Sequence, residues 1–178
     1  MVCYGSYVNQ PEAEFSLQFM QAQREALAEK AHLVIVESDV LVRPETLQRM
    51  LAAAETDQCG MVAAVTHDTD GNINFPYLYA QKYKNENVRI CDKRFSFCCT
   101  LLTNAFLQAF DFETLNPEKD WFDVTITNES RKHGFNNLLL LDTPVTHMPH
   151  ASRPWKQLKY THPLKYYWLK LIHKRDKI

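Results

Sequence analysis

Apolar positions along the chain fall into two periods, helical and extended, and the two alternate. "EAEFSLQFMQAQREALAEKA" spaces Phe15, Phe19, Met20, Leu27 and several alanines so as to predict a helix with a broad apolar face. "LVIV", residues 33–36, is short, largely β-branched and wholly apolar, the pattern of a strand covered on both faces. Glu37-Ser38-Asp39 interrupts it, "VLV" follows, and Pro44 then suits the first turn of a helix. That helix, "PETLQRMLAAAE", sets Leu47, Met50, Leu51 and Ala54 on one stripe. "CGMVAAVTH" predicts a second buried strand, "DTDG" (68–71) a turn, and "FSFCCTLL" a third strand. "TNAFLQAF" reads as a helix opened by a Thr or Asn cap, and "DVTITNESRKHG" as one that stops at Gly134. "NLLLLDTPVTH" predicts a last pair of strands, and "HPLKYYWLKLIHKRDK" a basic amphipathic helix. Helices alternating with short buried strands predict an α/β layer fold, with a mainly parallel sheet flanked by helices. Sheets of this kind bind ligands beyond the carboxyl ends of their strands, and Glu37-Ser38-Asp39 stands at such an end.

Composition narrows the classes. The 178 residues suit a single domain, with residues 1–152 as its body and residues 153–178 as a tail. No apolar run approaches the roughly 20 residues that span a bilayer, and no signal-peptide pattern opens the chain. The cysteines at 3, 59, 91, 98 and 99 are odd in number and lack CxxC spacing. This disfavours a disulfide framework and a zinc site and suits a reducing, cytoplasmic compartment; Cys98 and Cys99 read as buried thiols. With only four glycines there is no GxGxxG or Walker loop. Charge is uneven: from Arg153 onward eight Lys/Arg face one acid, whereas the rest carries twelve basic and twenty acidic residues. The tail either packs its aromatic side on the domain or rests on an anionic membrane, a peripheral contact at the inner face. The acidic body argues against nucleic acid.

Three short stretches carry candidate chemistry. Glu37 and Asp39 are two residues apart, so an extended backbone turns both to one face. Like charges so placed are unfavourable unless a cation sits between them, and oxygen ligands suit Mg²⁺ or Mn²⁺ with a substrate phosphate. The alternative is a strand that simply ends in a polar loop. In "KDWFDVTI", Asp120 and Asp123 flank Trp121 and Phe122. A carboxylate beside large rings is a candidate general base, and equally a helix cap. In "PVTHMPH", His147 ends a strand and His150 follows; a neutral imidazole can join carboxylates on a metal or be merely structural.

The order of these stretches resembles the family 2 glycosyltransferases of GT-A fold, over roughly residues 15 to 150. In that family an apolar strand ends in Asp-x-Asp, a "P-x-x-L" helix follows, then an "E-D-x-D-L … G" segment and a strand ending in His. Glu37-Ser38-Asp39 falls on Asp-x-Asp with Glu in first place. Asp123, with its spacing to Gly134, falls on the base-position Asp; Phe122 replaces the Glu before it, Thr125 stands where the second Asp would be, and His147 falls on the strand-end histidine. The family's first β–α unit has no counterpart, because "MVCYGSYVNQ" leaves room for one short strand, with Tyr4-Gly5-Ser6 at the place of its "D-x-S".

The resemblance implies a metal-dependent, inverting transfer of sugar from a nucleotide-diphosphate sugar to a hydroxyl of a glycan or lipid-linked acceptor. It places Glu37, Ser38, Asp39 and Trp121 at the nucleotide sugar, and Asp39, Glu37 and His147 on Mn²⁺ or Mg²⁺. Asp123 would be the base. The alternative is an inactive or fragmentary glycosyltransferase-like binding domain, to which Glu37, Thr125 and the missing first unit point. A nucleotidyltransferase would want a Gly-rich phosphate loop, which is absent.

Overall fold

A computed structural model describes residues 2–6, 12–115, 122–148 and 162–173; of residues 2–6, 12–16, 170 and 173 it describes the backbone alone. The chain divides into the units Met1–Met148 and Pro149–Ile178. In the first unit the elements run β1 (Val2–Ser6), α1 (Glu12–Ala28), β2 (Leu33–Glu37), β3 (Val40–Leu41), α2 (Pro44–Ala54), β4 (Cys59–His67), β5 (Val88–Ile90), β6 (Cys99–Leu102), α3 (Asn104–Ala109), α4 (Phe122–Lys132) and β7 (Asn136–His147). The second contains α5 (Pro163–His173).

The strands form one mixed sheet in the order β1-β2-β6-β4-β7-β3, with β5 also on β7. The expectation of an α/β sheet flanked by helices holds, and one part of it needs restating. By direction, β1, β2, β4 and β7 run the same way. By pairing, only β1–β2 and β4–β7 are parallel, while β2–β6, β4–β6, β3–β7 and β5–β7 are antiparallel. The reason is β6, which enters reversed between β2 and β4. Its reversal brings the start of β6 to the edge where the four co-directional strands end.

Alternation along the strands fills both faces. Leu33, Ile35, Met61, Ala63, Leu102 and Leu139 pack on one side with Phe19, Ala22 and Ala26 of α1, Phe106 of α3 and Ile126 of α4. Val34, Val62, Ala64, Leu101, Leu138 and Leu140 pack on the other with Met50, Ala53 and Ala54 of α2. Residues one apart thus serve opposite cores, as a doubly covered strand requires. The helix ends follow local chemistry. Pro44 opens α2. The Thr103 side chain accepts the Phe106 N–H and caps α3. Gly134 adopts φ +82° after α4, and the Phe135 N–H reaches back to the Ser130 carbonyl at 3.0 Å.

Two features differ from the sequence reading. The "last strand pair" is one strand, β7. Against β4 its register slips between Ala64 and Thr66, which pair with Leu140 and Val145. The extra residues include Pro144, which lacks the N–H a regular ladder needs, so a bulge is the strand's way of keeping it. Beyond the bulge, β7 leaves β5 and pairs with β3 through Val40 and His147. The strand β5 escaped the sequence reading because three residues, Val88–Ile90, are too few to show a period.

Gly60 in β4 is held by close approach. A Cβ there would lie 2.3 Å from Ser130 Oγ and 2.5 Å from Phe135 Cβ. Gly60→Ala is expected to lower stability by about 1–3 kcal/mol, since the clash sits in a packed interior. Urea unfolding midpoints of the two proteins check it, and an unchanged midpoint contradicts it.

Candidate active site

The carboxyl edge of the sheet assembles this site from strand ends. Glu37 closes β2 and His147 closes β7. Cys98 precedes β6, and its carbonyl accepts the Glu37 N–H at 3.1 Å. Ser38-Asp39 is the turn between β2 and β3, and the Asp39 carbonyl accepts the Met148 N–H at 2.8 Å, which ties that turn to the end of β7. Along the turn Ser38 is exposed while Glu37 and Asp39 are half-buried. Both carboxylates are thus partly withdrawn from solvent, although the segment that carries Asp39 is a turn and not the extended chain that the spacing argument assumed.

Asp39 Oδ2 lies 3.5 Å from His147 Nε2, and the side chains are 11 % and 4 % exposed. His147 Nδ1 is 2.8 Å from the Phe75 carbonyl oxygen. A carbonyl only accepts, so Nδ1 carries the proton and donates. In the neutral ring Nε2 then presents a lone pair, and it faces a carboxylate. Two electron-rich atoms so placed call for a proton or a cation between them. Asn74 Nδ2 also donates to the His147 carbonyl at 3.0 Å, fixing the strand end.

On the β2 side the Cys98 thiol donates to Glu37 Oε2 at 3.1 Å, with Ser96 Oγ 3.3 Å from the sulfur. Burial pushes the Glu37 carboxyl above its ordinary value; the Cys98 hydrogen bond opposes this, Asp39 and Asp123 add to it, and His147 opposes it. Burial, then the Glu37 charge, pushes the Cys98 thiol well above its ordinary value, so at neutral pH it keeps its proton. One ligand atom each from Glu37, Cys98 and His147 lies within 4.8 Å of the others.

Asp123 stands in the first turn of α4, half-buried, where Oδ1 accepts the Val124 N–H at 2.8 Å. Part of its work is thus that of a helix cap. Its charge also acts on Glu37. The fold therefore draws Glu37, Asp39 and His147 together, with Asp123 within electrostatic reach. Ser38 points to solvent. Trp121, with Asp120 and His150, lies outside the described residues.

A family model described as "Glycosyltransferase like family 2" matches residues 8–161, well over half of the chain. The chain belongs to this family. No curated protein matches it. The mixed sheet is accordingly the GT-A-like α/β fold of a family 2 glycosyltransferase domain, and membership implies a nucleotide-sugar donor and an acceptor as its ligands in general. Within this glycosyltransferase domain the sequence reading missed Cys98 as a neighbour of the acidic pair. The signal was present, because adjacent residues on a strand face opposite ways. Cys99 meets Met50 at 3.7 Å in one core, which leaves Cys98 turned to the other side. The Phe75 carbonyl that orients His147 had no readable sign.

Proposed function

We propose that this domain transfers a sugar from a nucleotide-diphosphate sugar to an acceptor hydroxyl, with inversion at the anomeric carbon. The observation that carries the reading is the meeting of Glu37, Asp39 and His147 at one sheet edge, with Asp123 close enough to influence Glu37. The donor set fits a divalent ion such as Mn²⁺ or Mg²⁺: two carboxylates, and an imidazole whose Nδ1–H is engaged by a carbonyl so that Nε2 is left to bind. Asp39, Glu37 and His147 would hold it, and it would offset charge on the departing diphosphate.

The chain's own residues do the rest. The turn at Ser38-Asp39 and the end of β7 orient the donor diphosphate. Asp123 accepts the proton of the acceptor hydroxyl as its oxygen bonds to the anomeric carbon and the bond to the diphosphate breaks. The nucleoside diphosphate leaves with that bond's electron pair. Calorimetric titration of UDP- and GDP-sugars in the presence of Mn²⁺ tests the reading: saturable binding of one donor class is expected, and no binding to a folded sample opposes it. A second reading, a domain that binds sugars or nucleotides without transfer, is favoured by the hydrogen bond that holds Glu37 to Cys98. It predicts donor binding with no release of nucleoside diphosphate.

The second unit carries a surface of its own. In α5, Leu164, Tyr167, Trp168, Leu171 and Ile172 are all exposed and recur at helical spacing, so they form one apolar arc. The exposed Lys165 borders this arc. Among the described residues no helix is long and apolar enough to cross a membrane. An exposed apolar arc edged by a lysine suits the surface of an anionic bilayer, where a lipid-linked acceptor would lie. The intact chain is expected to sediment with anionic vesicles and to remain in solution with neutral ones. Trp168→Glu with Leu171→Glu should abolish sedimentation, and equal partitioning of both proteins contradicts the contact.

A further inference from the structure

We infer that Glu37, Cys98 and His147 bind a thiophilic divalent cation, of which Zn²⁺ is the type, with Cys98 as a thiolate ligand. The site shares Glu37 and His147 with the diphosphate site, so its consequence for donor binding rests on the transferase reading, whereas the binding itself does not.

Three separate elements deliver the ligands: the end of β2, the residue before β6 and the end of β7. Their ligand atoms already lie within 4.8 Å of one another, so side-chain adjustment alone brings them to the shorter span of a common ion. His147 has the arrangement of a metal-binding histidine, with one ring N–H donated to a backbone carbonyl and the other nitrogen facing a carboxylate. Asp39 stands beside that nitrogen and can complete the set.

Cys98 differs from the other described cysteines in what it faces. Cys59 turns to the Met61 carbonyl, Cys91 to the Tyr79 hydroxyl and Cys99 to the Met50 sulfur. Cys98 turns to a carboxylate. A sulfur, nitrogen and oxygen donor set favours Zn²⁺ or Co²⁺, while oxygen alone favours Mg²⁺. The CxxC spacing that marks zinc sites in sequence is absent because the fold, not a local turn, assembles these three ligands.

The step balances simply. The ion forms a bond to Cys98 Sγ, the S–H bond breaks, and its proton passes to solvent; no electrons are exchanged. Held this way the ion occupies the carboxylate and imidazole on which the donor's own ion depends. Zn²⁺ is thus expected to oppose binding of the sugar nucleotide with Mn²⁺.

Co²⁺ serves as the probe. The intact protein, titrated without any nucleotide, should develop a near-ultraviolet thiolate-to-cobalt charge-transfer band, and calorimetry in buffers of different ionisation heat should report release of a proton. Cys98→Ser should lose the band and about tenfold or more in Zn²⁺ affinity. Cys99→Ala, altered on the opposite face, should keep both. No band in the unmodified protein, or a band that survives Cys98→Ser, overturns the inference. If the band appears as expected while no sugar nucleotide binds with Mn²⁺, the transferase reading fails and the cation site stands.

Discussion

Asp123→Asn is expected to remove sugar transfer while leaving the protein folded and able to bind donor. The carboxylate is replaced by an amide that cannot accept a proton from the acceptor hydroxyl, and general-base assistance contributes about 10²–10⁴-fold to such steps. The fold should tolerate the change. Asn is a good residue in the first turn, and its side-chain oxygen can still accept the Val124 N–H that Asp123 Oδ1 accepts at 2.8 Å. The change therefore separates the helix-end hydrogen bond that Asp123 makes from the base role proposed for it. Initial-rate assays of nucleoside diphosphate release should show kcat reduced by that order with little change in the donor KM. Near-normal transfer would show that the position is only a cap.

Asp39→Ala should have the second large effect, and of a different kind. Asp39 faces His147 Nε2 at 3.5 Å, and both side chains are nearly enclosed. Removing the carboxylate takes away one arm proposed to hold the ion and leaves the imidazole without this anionic neighbour. Stabilisation of a developing phosphate charge by a bound ion is worth several kcal/mol, which corresponds to a loss of roughly 10²–10⁴-fold in kcat/KM. Unlike Asp123→Asn, the loss should appear in donor affinity as well as in turnover, and raising Mn²⁺ should restore part of it. Transfer that is insensitive to both the substitution and chelators would place the reaction elsewhere.

Much of this architecture was legible in the sequence because its strands are covered on both faces. A wholly apolar run such as residues 33–36 leaves few alternatives, and Pro44, Thr103 and Gly134 mark helix ends by chemistry that acts within a few residues. The nearness of Glu37 and Asp39 was expected from the period of an extended chain, whereas the structure brings it about through the turn at Ser38-Asp39. What resisted reading depends on contacts far apart in sequence. The insertion of β6 between β2 and β4, which puts Cys98 against Glu37, has no local sign. Nor has the bulge that carries Val145-Thr146-His147 past β5 to pair with β3; Pro144 signals irregularity there without saying which way the strand continues. The hydrogen bond from His147 to Phe75 decides which ring nitrogen is left to bind, and it joins residues 72 apart.

The central claim is that the diphosphate of a sugar nucleotide binds with a divalent ion at the carboxyl edge formed by Glu37, Asp39 and His147. A crystal structure of the protein with a nucleoside diphosphate and Mn²⁺, with data collected at the manganese absorption edge, tests this most directly. The account predicts an anomalous peak beside Asp39 with the diphosphate next to it at the ends of β2 and β7. A diphosphate bound at that edge with no manganese near Asp39, or bound away from that edge altogether, would contradict it.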